Sequence, residues 1–199
     1  MFLSDQANTV AQRLVDHART VDDAWQIPAL EAAVLHQLVV SSRRRLLLEI
    51  GVSYGFSTLH LAHAAGLTGG YVHAIEASEK KFQAATASLT EAGVINRVFL
   101  HLGAAQDVVP SLRPDGRFDF LFIDAVKAEC FEYLEAAWPL LNHEDCLIVT
   151  DNTTTHADEL DDFCRHLRSL PEVMCSTTLD IGNGFELSVL GNAGAREAD

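Results

Sequence analysis

The stretch Leu46-Leu47-Leu48-Glu49-Ile50-Gly51-Val52-Ser53-Tyr54-Gly55-Phe56-Ser57 constrains the fold more than any other part of the chain. An apolar run ends in an acid, two glycines bracket a short loop, and an amphipathic segment follows. That order predicts a buried strand, a turn and a helix N-terminus. The first N–H groups of a helix have no intrahelical partner, and glycine lets a ligand approach the main chain. The turn is therefore a ready cofactor site.

The same unit then repeats. Apolar runs at 70–76, 96–102, 118–124 and 145–151 predict four more strands, separated by segments of helical period. Ser78 caps the helix that Gly93 ends, and Gly66 is expected to end the one before it. A short helix is expected over 104–112, a turn over 113–116, and helices over 128–141 and 157–170. Strands at 173–181 and 185–190 flank Gly182-Asn183-Gly184, a hairpin signal. Ahead of the first strand, helices are expected over 5–19 and from Pro28, in the first helical position, to about Val40. The second is strongly apolar and suited to pack on the sheet or on another subunit. The fold class is α/β: a doubly wound, mostly parallel seven-stranded sheet with a C-terminal antiparallel hairpin. One domain covers 1–199, with N-terminal helices in 1–42 and the core sheet in 46–190. The polar tail 193–199 is expected to fray.

Composition narrows the function. A formal net charge of −14 leaves no basic footprint for nucleic acid. Arg43-Arg44-Arg45 reads as a solvated approach to the first strand. No signal peptide or bilayer-spanning run is visible. Cys130, Cys146, Cys164 and Cys175 are widely spaced, so reduced thiols and a cytoplasmic location are expected.

Open parallel sheets bind ligands beyond the carboxyl ends of their strands, at the switch point. The strands deliver Glu49 and Gly51, then Glu76, then the segment 103–107, then Asp124 with Lys127, then Asp151 and Asn152. Acids ending consecutive strands repel unless something cationic lies between them. Glu76 stands 25 residues after Gly51, where an acid commonly takes ribose hydroxyls; the bland reading is a solvated strand end. The loop is G-x-x-x-G and lacks the paired glycines that let a backbone touch a pyrophosphate, which favours a nucleoside cofactor without phosphates. Asp124, Asp151 and Asn152 offer hard oxygens suited to Mg²⁺ or a similar cation, or else serve as a strand end and a helix cap. Lys127, one turn past Asp124, is either a general base or a solvated charge.

These stretches together resemble the metal-dependent catechol and caffeoyl-CoA O-methyltransferase family, of the Rossmann-like class I S-adenosylmethionine-dependent fold. The matching residues are Leu48-Glu49-Ile50-Gly51 with Gly55-Phe56-Ser57-Thr58, Ala74-Ile75-Glu76, Gly103-Ala104-Ala105-Gln106-Asp107, Phe118-Asp119 through Phe122-Ile123-Asp124-Ala125-Val126-Lys127, Asp151-Asn152 and Ile181-Gly182-Asn183-Gly184. The resemblance implies that Glu49, Gly51 and Ser57 hold the methionine part of S-adenosylmethionine. It implies that Glu76 takes the ribose, that Ala105 and Gln106 border the adenine, and that Asp124 also faces the cofactor. It gives Asp124, Asp151 and Asn152 to a divalent cation, Mg²⁺ by expectation, and makes Lys127 the general base. The implied partner is a small aromatic acceptor with vicinal hydroxyls, and a homodimer is plausible.

Departures fall on the acceptor side. Val126 stands where the family has a second acid, Cys130 where it has a tyrosine, and Glu31-Ala32-Ala33 where it often has glycine. Asp180 is a positional candidate for an acid that assists the acceptor hydroxyl. A hydrolase is the competing reading, because Gly51-Val52-Ser53-Tyr54-Gly55 also fits G-x-S-x-G, with Ser53 as nucleophile. The elbow, however, normally follows several strands, and here helices precede it. A non-catalytic cofactor-binding domain is the third reading. His60 and His63, three apart on one helix, form a possible ligand pair; His156 is a weak acceptor-side candidate. Trp25 and Trp138 read as packing residues.

Overall fold

The computed structural model describes residues 3–191, so the expected frayed tail at 193–199 lies outside the described residues. Seven strands form one sheet in the order β3-β2-β1-β4-β5-β7-β6. They are β1 (Leu46–Ile50), β2 (Tyr71–Glu76), β3 (Val98–Leu102), β4 (Phe120–Ile123), β5 (Asp145–Asp151), β6 (Val173–Leu179) and β7 (Phe185–Gly191). Strands β1 to β5 are parallel, and β7 runs antiparallel between β5 and β6. The helices are α1 (Asp5–Ala18), α2 (Ala29–Ser41), α3 (Phe56–Thr68), α4 (Glu79–Glu91), α5 (Ala105–Val108), α6 (Cys130–Ala137) and α7 (Ala157–Ser169). No helix among the described residues is long and apolar enough to cross a membrane.

Strand periodicity divides the core. Leu47, Phe120 and Phe122 face a layer built from α1 to α4, with Val10, Leu35 and Leu59. Leu48, Ile50, Leu121 and Ile123 face the other layer, with Tyr133, Leu134, Phe163 and Leu167. Alternate residues of a strand point to opposite faces, so a buried strand reads as an unbroken apolar run.

Several local expectations shift. Gly66 lies inside α3, with open space around it, and Gly69, at φ 77°, ends the helix instead. Pro28 caps α2 from outside rather than opening it. The segment expected as one helix over 128–141 is split into a 3-10 turn at Lys127–Glu129, α6 and a second 3-10 turn at Trp138–Leu140. Arg44 is not a solvated strand approach: it is 8% exposed and pairs with Asp145 at 2.6 Å. The four cysteines are free. Helix α2 lies against α3 in the same chain, which accounts for much of its apolar surface.

Candidate active site

Strands β1 and β4 are neighbours at the point where the chain changes direction across the sheet, and their ends are tied by Asp124 N donating to Ile50 O at 2.9 Å. At that end lies a cavity of about 680 Å³, lined among others by Trp25, Gly51, Ser53, Glu76, Ala105, Asp124, Lys127, Asp151, Asn152, His156 and Asn183. Gly51 has φ 100°, and a Cβ there would sit 1.9 Å from the Asp124 carbonyl oxygen. The cavity floor thus depends on a residue without a side chain.

Glu76 stands ready at the β2 end. Its two oxygens accept backbone N–H bonds from Ser53 and Ser78, each at 2.8 Å, which hold the carboxylate in one orientation and leave lone pairs free. Two vicinal hydroxyls fit such an acceptor pair.

Glu49 and Ser57 are placed differently from a ligand-lining pair. Neither lines the cavity; Ser57 Oγ donates to Glu49 Oε1 at 2.5 Å, in the layer beneath the loop. Burial pushes the Glu49 carboxyl up to about 8, opposed by the Ser57 hydroxyl. Between its ordinary value and 8, the fold holds a proton that the unfolded chain has released. Stability should therefore fall as pH rises through that window. Calorimetry should show a lower melting temperature at pH 8 than at pH 6, with a smaller difference in Glu49→Gln; an undiminished difference would refute this origin.

Ala105 lines the cavity, whereas Gln106 turns away and donates to Glu129 Oε2 at 2.6 Å. Tyr133, which also lines the cavity, donates to the same oxygen at 2.7 Å. Glu129 thus anchors this wall, a role without a motif in the sequence.

At the β4 and β5 ends the acids converge as expected. Lys127 Nζ donates to Asp124 Oδ1 at 3.1 Å and to Ala125 O at 2.9 Å. Burial raises the Asp124 carboxyl and the Lys127 ammonium opposes the rise. Burial, then Asp124, then Glu31, push Asp151 up to about 8. Asn152 has φ 70°, which turns the chain out of β5 toward α7, and donates weakly to Thr155 Oγ1 at 3.4 Å. Asp151 Oδ1 and Asn152 Oδ1 are buried and have no hydrogen-bond partner among the described residues. Unpaired hard oxygens in a carboxylate cluster fit a divalent cation. Among the described residues no group of three or more His, Cys, Asp or Glu side chains could by itself hold a metal ion, so a donor set here would include an amide oxygen such as that of Asn152.

Glu31, a departure on the acceptor side, and Trp25 both take roles that the sequence did not indicate. Glu31 is 0% exposed and accepts from Asn183 N, while Asn183 Nδ2 reaches Asp151 Oδ2 at 3.4 Å. Trp25 is not a packing residue: it is 77% exposed at the cavity rim, with Lys81 Nζ 4.3 Å from its ring centroid. Its segment is tied to the glycine loop by Ser53 Oγ donating to Ala24 O and Tyr54 OH donating to Asp23 at 3.0 Å. The Ser53 hydroxyl therefore serves a backbone carbonyl, not an imidazole, and the hydrolase reading loses its nucleophile. Asp180 is exposed and does not line the cavity. His60 and His63 form no ligand pair: His60 Nδ1 meets Phe56 O at 2.9 Å, and His63 Nδ1 meets His36 Nε2 at 3.1 Å.

Comparison with known proteins gives the family and the fold. The family described as "Methyltransferase domain" matches residues 48–153. A catechol O-methyltransferase of Mycobacterium tuberculosis is 36% identical over 141 residues, which are 68% of this chain and 62% of that protein. A second, from Niastella koreensis, is 34% identical over 119 residues, 58% of this chain and 52% of that protein. The chain thus matches less than two thirds of the length of these relatives. Among solved structures, an O-methyltransferase from Bacillus cereus in complex with SAH superposes with a TM-score of 0.80 at 28% identity, covering 94% of this chain and 91% of that one. One from Streptomyces achromogenes in complex with SAM gives 0.78 at 27% identity, covering 95% and 91%.

Proposed function

The chain belongs to the methyltransferase domain family, and from that membership we propose an S-adenosylmethionine-dependent O-methyltransferase acting on one hydroxyl of a small catechol-like acceptor, with a divalent cation at the acceptor end. One observation carries the reading. A single cavity is lined by Glu76 from β2 and Gly51 from the turn after β1, and by Asp124, Lys127, Asp151 and Asn152 from the ends of β4 and β5. A nucleoside held by Glu76 would lie in the same cavity as an acceptor beside Asp151 and Asn152.

Bound S-adenosylmethionine supplies a sulfonium methyl, and a bound cation, Mg²⁺ by preference, supplies positive charge where a phenolate forms. The rest falls to the chain. Glu76 accepts from the ribose hydroxyls. Gly51 lets the methionine part pass close to the β1 end, and Ala105 gives the adenine a small neighbour. Glu49 and Ser57 support the loop from below. Asp151 and Asn152 aim oxygens at the cation site, with Asp124 beside them. Lys127 Nζ, held at Asp124 Oδ1 and Ala125 O, is the group that would take the acceptor's phenolic proton as that oxygen accepts the methyl group. Much of the rate comes from alignment of oxygen, carbon and sulfur. Trp25 and Val126 give the rim an apolar face that suits an aromatic ring. The free cysteines suit a cytoplasmic enzyme, and the exposed Leu30, Tyr71 and Phe99 offer surface for a homodimer.

The test is a calorimetric titration of S-adenosylmethionine with and without Mg²⁺, followed by methyl-transfer assays on a panel of catechols. The expected result is cofactor binding and turnover that ceases when the cation is chelated. Absence of cofactor binding would overturn the assignment; binding with cation-independent turnover would remove the cation from it.

A further inference from the structure

A fully buried glutamate on a largely apolar helix, beside the buried Ala32, Leu35, His36 and Val39, calls for an explanation. Glu31 sits on α2, and it is 0% exposed. Burying a carboxylate is costly unless its oxygens are satisfied. One oxygen is: Oε1 accepts from Asn183 N at the tip of the β6–β7 turn. That contact needs Gly182, where a Cβ would come within 2.5 Å of Oε1. The other oxygen, Oε2, has no partner among the described residues.

The same condition holds at the end of β5, where Asp151 Oδ1 and Asn152 Oδ1 are also buried and unpartnered. Asn183 joins the two places, since its backbone N–H serves Glu31 and its side-chain amide reaches Asp151. Each carboxylate thus meets Asn183 through one oxygen, and the Glu31 and Asp151 side chains also come within hydrogen-bonding reach of each other, so the two carboxyls face one another. No ion pair among the described residues includes Glu31 or Asp151. The lysine of the site is engaged elsewhere, by Asp124. Two carboxylates and one amide oxygen are thus gathered with no positive partner among the described residues. Hard divalent cations take six or more oxygens and bind more tightly as carboxylates are added.

We propose that Glu31 Oε2 is a further oxygen donor to the cation held by Asp151 and Asn152, so that helix α2 closes the cation site from the N-terminal side. The inference rests on the cation reading of Asp151 and Asn152 above. It gives the site one more negative charge than the strand ends alone supply, and it ties cation binding to the seating of α2 on the 182–184 turn.

Mn²⁺ binding, followed by the electron paramagnetic resonance of the free ion, tests it without turnover. Wild type, Glu31→Gln, Glu31→Asp and Asp151→Ala would be compared, with circular dichroism and metal-free melting recorded for each. The glutamine keeps an acceptor for Asn183, and the aspartate keeps the charge but withdraws the oxygen by one methylene. The expected result is one Mn²⁺ per wild-type chain, none in Asp151→Ala, and at least tenfold weaker binding in both Glu31 variants with the dichroism unchanged. Wild-type affinity in Glu31→Gln or Glu31→Asp, with binding lost in Asp151→Ala, overturns the role of Glu31 and leaves the cation reading standing. If Glu31→Gln does not fold, Glu31→Asp alone decides in the same way. Failure of the wild type to bind Mn²⁺ overturns both.

Discussion

Replacing Lys127 by methionine should lower kcat for methyl transfer by roughly 10²- to 10⁴-fold, the usual worth of a positioned general base, with little change in S-adenosylmethionine affinity. The lysine sits in the 3-10 turn after β4, mostly buried, with its amine on Asp124 Oδ1 and Ala125 O. Methionine keeps the length and the packing and removes only the basic nitrogen. Lys127 makes its hydrogen bonds to Asp124 and Ala125 and none to Glu76, whose oxygens are held by Ser53 and Ser78, so calorimetry should give a near wild-type constant for the cofactor. Lys127→Arg should not rescue, because a guanidinium does not give up its proton at neutral pH. A Lys127→Met enzyme that keeps more than a tenth of wild-type kcat would refute the role. A loss confined to KM would make the lysine a binding group instead.

Gly51→Ala is the second large effect. The new methyl would lie 1.9 Å from the Asp124 carbonyl oxygen, at φ 100°. Neither neighbour can yield cheaply, because both belong to the main chain of adjacent parallel strands, registered Ile50 to Ile123. Overpacking of this kind together with a disfavoured φ costs about 2–4 kcal/mol. That corresponds to a fall in Tm of roughly 5–15 °C for a domain of this size. The movement is forced on Asp124 itself, so cofactor affinity and turnover should fall at least tenfold even where the variant stays folded. Gly55→Ala is the control. Its φ is 92°, but the nearest atom to a new Cβ is the Ala85 Cβ at 3.3 Å, so it should be strained and far milder. Equal melting temperatures for the two variants would contradict the account.

The sheet was legible because its information is local. Leu46–Ile50 and Asp145–Asp151 carry their own apolar runs, and each ends in residues the switch point brings together. Asp124, Lys127, Asp151 and Asn152 could be named because each follows a strand. Features set by distant partners were hidden. Glu31 looks out of place on an apolar helix until the turn at Asn183, 152 residues away, is packed against it. Arg44 reads as one of three like charges until Asp145 is beside it. Trp25 reads as core because aromatic residues usually are, and only the ties at Ala24 and Asp23 show the segment held at the cavity rim. Gly66 and Gly69 differ by three residues, and sequence has no measure of which one has to turn left-handed.

The position of β7 has a consequence for how the molecule is made. A ribosome delivers β6 before β7, yet β6 has no neighbour in the sheet except β7, and β7 is the strand that docks on β5. While the chain is still being synthesised, β5 is a bare edge, rich in Leu147, Ile148 and Val149, with nothing to cover its unpaired amides and carbonyls. The turn that seats Glu31 arrives in the same late step. The nascent protein therefore exposes the apolar edge of β5 until β7 has emerged, the interval in which a chaperone has most to protect.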